Sequence, residues 1–190
     1  MTSPHADFQS VLSFWFSLRK PGKKDDVRVG SNLGESYRLA RAGELDSWGD
    51  EHRPRLALIL LLDQVPRHLF RDRPEAYDTD REAQELTARF LHEGGWEGFA
   101  PLERYYAAVP WMHAEDIERQ ERINPLIHEL VQEDSSLLPS AGIADLYLAT
   151  IRRFGRFPHR NAILGRPGTT AEQAFLQREW RRLKRAVYRK

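Results

Sequence analysis

The sequence predicts an all-α protein of seven to eight helices packed as antiparallel pairs. Three observations carry this expectation. Apolar residues recur at helical spacing along nearly the whole chain, capping and terminating residues bracket the periodic stretches, and no alternating run competes for a strand. The chain has 190 residues and no change of composition along its length, so one domain over 1–190 is expected. A domain of that size buries roughly 70% of its unfolded surface and needs no covalent staples.

Ser3 and Pro4 offer a cap and a first-turn proline, and Phe8, Val11, Leu12, Trp15 and Phe16 follow at helical spacing. Lys20 to Ser31 is polar and glycine-bearing and reads as an exposed loop; a second helix, marked by Leu33, Tyr37 and Ala40, closes near Gly43. A third begins about Pro54 and carries the apolar run "LALILLL", Leu56 to Leu62, which Pro66 should bend or end. Asp78 to Asp80 cap a helix through Ala83, Leu86, Phe90 and Leu91 that stops at Gly94 and Gly95. Pro101 opens a short helix that Pro110 ends. Ala114 to Glu133 is helical with Pro125 as a kink, and "SSLLPSAG" reads as a loop. Ile143, Leu146, Tyr147, Thr150, Ile151 and Phe154 trace the penultimate helix, with Gly155 as its left-handed terminator. Thr169 with Glu172, or Thr170 with Gln173, forms a capping box for the last helix, whose stripe is Phe175, Leu176, Trp180, Leu183 and Val187. No repeat period near 34 residues stands out.

Composition narrows the function. Lys and Arg total 29 against 28 Asp and Glu, a net charge of +1, so no global field attracts nucleic acid or anionic membrane. There is no cysteine, which excludes disulfides, thiolate metal sites and cysteine nucleophiles and fits a reducing compartment. The apolar run is far below the roughly 20 residues that span a bilayer, and the N-terminus has no secretory pattern, so a cytoplasmic protein without membrane contact is expected. The dinucleotide, P-loop, serine-hydrolase, zincin and di-iron signatures are missing, and no cofactor is expected. A metal site from His113, Glu115, Asp116 and His159 is possible in composition but lacks diagnostic spacing.

Three polar clusters interrupt the apolar pattern. In "LDQVPRHLFRD", Asp63 and Gln64 follow the apolar run and Arg67 lies one turn beyond Asp63; the plainest account is a structural Asp63–Arg67 pair at the proline. In "VPWMHAEDIERQ", His113, Glu115, Asp116 and Gln120 cluster at a helix start, where Asp116 suits a cap. In "RRFGRFPHRNAILGR", Phe154 and Phe157 anchor the backbone while Arg153, Arg156, His159 and Arg160 radiate from it; arginines bonding helix-end carbonyls are the structural alternative. The C-terminal stretch Arg178 to Lys190 holds seven cations among 13 residues and reads as a solvated helix face.

The strings "LSFWF", "AGELDSW", "LALILLLDQVPRHLFR", "AYDTDREA", "PWMHAEDIERQ", "IRRFGRFPHRNAILGR" and "TTAEQAFL" resemble, in order and over most of the chain, the bacterial domain of unknown function family 924. The resemblance implies an all-helical, tetratricopeptide-repeat-like architecture and no established reaction. It also marks a divergent member. The family usually has Asn at the position of His68, Ser at Ala114 and His at Tyr147, and its Trp-Phe and Phe-Asp signals after the first helix are absent.

On a helix-pair scaffold, polar residues at helix ends and kinks converge on one face. The expected pocket is floored by Asp63 and His113 and ringed by Arg153, Arg156, His159 and Arg160, with Arg67, Gln120 and Asn161 among its ligand contacts. Guanidinium forks suit a carboxylate or phosphate, so the expected ligand is a small anionic molecule. If the pocket is catalytic, His113 is the general acid/base, with Asp63 and His159 as further proton-handling groups. The alternatives are a non-catalytic scaffold that binds a peptide, protein partner or second copy, and, behind it, RNA contact through the basic loop and tail.

Overall fold

The computed structural model describes residues 7–18, 21–94 and 96–187. Eight helices and no strand are found among them, as the periodicity requires. The chain forms two compact units, Met1–Phe99 and Ala100–Lys190, with four helices in each.

In the first unit, α1 spans Phe8–Ser17 and is capped by Asp7, whose carboxylate accepts the Gln9 and Ser10 N–H groups at 3.2 and 2.9 Å. The cap expected at Ser3 and Pro4 lies outside the described residues. α2 spans Asp26–Arg41 and so begins inside the stretch that reads as a loop. Gly30 is the reason for that misreading. It sits within the helix because the Leu69 side chain packs on it, and a Cβ there would stand 3.3 Å from Leu69 Cδ2. Gly43, at φ +78°, terminates the helix.

α3 is continuous through three segments, His52–Ile59, a π turn at Leu60–Gln64, and Val65–Leu69. Every residue from Pro54 to Asp63 is buried, because α1 lies against its start, α2 against its end, and α4, Asp80–His92, against the first two segments. Pro66 does not end this helix. It has no N–H to return to the Leu62 carbonyl, and the turn widens instead. The Val65 N–H reaches back five residues to Leu60, and the Thr79 hydroxyl donates to the Leu62 carbonyl at 2.5 Å. Gly94, at φ +75°, follows α4; Gly95 lies outside the described residues.

In the second unit, α5 spans Pro101–Met112 and continues two residues past Pro110 rather than ending there. α6 spans Ile117–Glu133, capped by Asp116, which accepts the Arg119 N–H at 3.0 Å. α7 spans Leu138–Phe154 and takes in most of "SSLLPSAG", since Pro139 is in its first turn, where a missing N–H costs nothing. Turns 113–116 and 134–137 are too short for anything but antiparallel neighbours, and α6 packs on both α5 and α7. Gly155, at φ +68°, ends α7 with its N–H on the Ile151 carbonyl.

α8 is again continuous through a π turn: Thr170–Phe175, Leu176–Trp180 and Arg181–Val187. The Thr169 and Glu172 capping box opens it. Leu146, Phe175 and Trp180 form a core that Tyr147, Phe154, Leu176 and Leu183 extend. The Val187 side chain and the end of the basic stretch lie outside the described residues. Among the described residues no helix is long and apolar enough to cross a membrane.

Candidate functional site

Asp63 and Arg67 stand in the first unit, and the other seven residues expected at the pocket stand in the second. Asp63 is 1% exposed, on the inner side of the α3 π turn. Its carboxylate accepts from Gln64 Nε2 at 2.6 Å and pairs with Arg67 at 3.2 Å. Arg67 also donates to the Asp63 carbonyl, pairs with Asp80 at 2.7 Å and lies over the Tyr77 ring. Burial works against the Arg67 charge, but Asp63 and Asp80 outweigh it and hold its pKa above the ordinary value. A buried ion group satisfied in this way clamps the π turn. On the next turn His68 Nδ1 meets Asp26 at 2.8 Å, and Arg71 forks onto the same carboxylate at 2.7 and 2.5 Å. Burial, only partly offset by Asp26, pushes the His68 pKa down and favours the neutral imidazole.

A groove of about 700 Å³ also lies in this unit, with Leu58 and Leu62 among its lining and Arg41, Asp46, Glu82 and Arg89 around it. Arg41 is paired with Asp78, and Arg89 with Asp50 and Glu93, so two of the three guanidiniums lining it, Arg81 being the third, are already answered by carboxylates.

In the second unit the arginine-rich loop after α7 is organised by two carboxylates. Glu115 accepts the Phe157 N–H at 2.7 Å and both Arg166 Nη groups at 2.5 and 2.9 Å, while Arg166 Nε donates to Asn161 Oδ1 at 3.1 Å. Burial would raise the Glu115 pKa, but Arg166, the Phe157 amide and Arg160 together pull it below its ordinary value. Glu172, 3% exposed, receives the Arg156 fork at 2.6 and 2.9 Å, and Arg156 also donates to the Pro167 carbonyl. The Arg156 fork is the main reason the Glu172 carboxyl is held down to about 2. Arg153 sits at 3.2 Å from the half-exposed Glu179. These arginines therefore fold the loop back on acidic partners. Arg160 is also turned inward: it is 7% exposed, with its guanidinium 4.6 Å from the Phe157 ring centre.

The same loop brings two imidazoles to one tyrosine. His113, at the C-terminus of α5, and His159 are both part-exposed, and their rings lie 6.3 and 6.4 Å from Tyr147. His159 stacks on Trp180 at 4.4 Å, within 15° of parallel. Phe157, fully buried, contacts both Tyr147 and His159 at 4.9 and 5.4 Å. Gln120 is placed beneath the turn that carries His113, donating to the Met112 and Ala114 carbonyls at 2.6 and 3.0 Å. His113, His159, Arg160, Gln120 and Asn161 thus belong to one neighbourhood, whereas Arg153 and Arg156 face the α8 acids Glu179 and Glu172.

Sequence reasoning placed Glu115 in the His113 cluster and among candidate metal ligands, and did not single out Arg166, Glu172 or Trp180 as site residues. Glu172 carried a usable signal. It precedes Phe175 and Leu176 by three and four residues, which puts it on the buried stripe of α8 and demands a cation. Among the described residues no three His, Asp or Glu side chains form a metal-binding group.

A family model for bacterial proteins of unknown function, DUF924, matches residues 7–179. The solved structure of a protein of unknown function from Agrobacterium tumefaciens is similar over 90% of this chain and 96% of that one, with 30% identity and a TM-score of 0.79. No curated protein matches. With a family match over nearly its whole length, the chain belongs to the DUF924 family of bacterial proteins of unknown function.

Proposed function

We propose that the chain binds a small anionic molecule beside Tyr147 in the second unit, and that His113 performs acid/base chemistry on it. The observation that carries this is the meeting of two part-exposed imidazoles, His113 and His159, on Tyr147, with Arg160 against the adjoining Phe157. Imidazole is the side chain suited to proton transfer near neutrality, and a guanidinium beside it suits a carboxylate or phosphate group. Trp180 stacked on His159 holds that ring in place, which leaves His113 as the mobile proton carrier. Asp63 and Arg67, clamped with Gln64 and Asp80 in the first unit, serve the π turn in this scheme.

The test is thermal unfolding of the full chain with phosphate, pyrophosphate or citrate against chloride at matched ionic strength. A ligand at a hundredfold excess over its Kd stabilises by about 2.7 kcal/mol, or roughly 5–10 °C for a chain of this size. Arg160→Lys, which keeps the charge and loses the fork, should diminish that rise. His113→Gln should keep affinity within a few-fold and lower any turnover by about 10² or more. Melting that responds to none of the anions beyond the chloride control would refute the proposal.

A further inference from the structure

A second groove lies in the Ala100–Lys190 unit, and its lining shares no residue with His113, Tyr147, Phe157, His159 or Arg160. It holds about 490 Å³, within the range of small-ligand sites. Val131 of α6, Leu138 and Ala149 of α7 and Leu183 of α8 supply apolar walls, and Leu138 is left 47% exposed. His128 and Asp145 also line it, and among its described lining residues Asp145 carries the one formal charge apart from the titratable imidazole. We infer that this groove binds a small organic cation, an ammonium group carrying an apolar tail, with Asp145 as its counter-ion.

The geometry of the carboxylate supports this. Asn124 Nδ2 and His128 Nε2 both bond Asp145 Oδ1, at 3.0 and 2.8 Å, so Oδ2 lies outside both bonds. Burial opposes the Asp145 charge, but the bonds from Asn124 and His128 outweigh it and keep the carboxyl below its ordinary pKa. An uncharged apolar occupant would strip water from that ionised oxygen without replacing the lost bond, and an anionic one would add a like charge beside it. An ammonium head meets Oδ2 while its tail covers Leu138 and Leu183.

The experiment is calorimetric titration of the full chain with n-hexylammonium, hexan-1-ol and hexanoate. The ammonium should bind about fivefold more tightly than the alcohol, the upper end for a part-exposed ion pair, and the carboxylate more weakly than either. Asp145→Asn should bring ammonium and alcohol within about twofold of each other. Ala149→Leu, at an exposed lining position, should fill the groove and weaken the ammonium about tenfold. Circular dichroism verifies that each variant is helical; if Ala149→Leu fails to fold, Leu138→Ala tests the same wall by removing apolar contact. Absence of saturable hexylammonium binding, equal affinity for ammonium and carboxylate, or a preference unchanged in Asp145→Asn would each overturn the assignment.

Discussion

Replacing Glu115 by glutamine keeps the side chain's volume and removes its charge, which isolates what the carboxylate does for the arginine-rich loop. The Glu115 carboxylate accepts three donors: the Phe157 amide and two Nη groups of Arg166. The glutamine carbonyl, placed where Oε1 stands, can still accept from Phe157 and Arg166 Nη2, but its NH2 then faces Arg166 Nη1, so one charge-assisted bond is lost and the other loses its anionic acceptor. Such bonds contribute about 1.5–3 kcal/mol each when well shielded. Here both partners are about one-quarter exposed, so the two together are discounted to about 2 kcal/mol. Chemical denaturation at pH 7 should show that loss, with the melting temperature lower by about 4–8 °C. The pH dependence follows from the direction of the shift. Glu115 has a folded pKa below its unfolded value, so its stabilisation is present above the unfolded value of 4.5 and is lost as the pH falls through the lower folded value. The gap between the native protein and Glu115→Gln should therefore be level from pH 8 to about 5 and narrow below about 4.5. A gap under about 0.5 kcal/mol at pH 7, or one that does not narrow in acid, would refute the assignment of Glu115 as the loop's anchor.

The hydroxyl of Thr79 stands in for the amide that Pro66 lacks, so Thr79→Val should cost about 1–3 kcal/mol by stranding the Leu62 carbonyl. In a Pro66→Ala background, where an amide is available again, the same substitution should cost less, and equal costs in a double-mutant cycle would show the two sites uncoupled. Glu172, held at about 2 by Arg156, should stay ionised through pH 3; its stabilisation is present above the unfolded value near 4.5 and lost as the pH falls through about 2. Carboxyl-carbon NMR titration checks this directly, and a Glu172 midpoint near 4.5 would contradict the fork geometry.

The helix signals that survived were those in which one local cause suffices. Gly43, Gly155 and the Thr169–Glu172 box act within a single turn, and each lies where the periodicity places it. The failures share another cause. Gly30 reads as a loop residue until Leu69, 39 positions later, is seen packing on it, and Pro66 reads as a bend or a stop until Thr79 is seen bonding Leu62. Pro110, read as the end of its helix, likewise sits inside one whose packing outweighs one missing hydrogen bond.

The sequence by itself determined the all-helical class, because a 3.6-residue apolar period is a property of neighbouring residues and specifies a buried face without knowing its partner. It determined the family through the order of its motifs, and it marked the Arg152–Arg166 loop as unusual. Tertiary structure alone decided what the cations of that loop face. A run of arginines carries the same text whether they point at a ligand or at Glu172 and Glu179, and Glu115 meets Arg166 across 51 positions. Charge pairing depends on distance in space, for which the spacing along the chain holds no information until the helices are packed. The same holds for His113 and His159, which are 46 residues apart in the text and neighbours of one tyrosine ring in the fold.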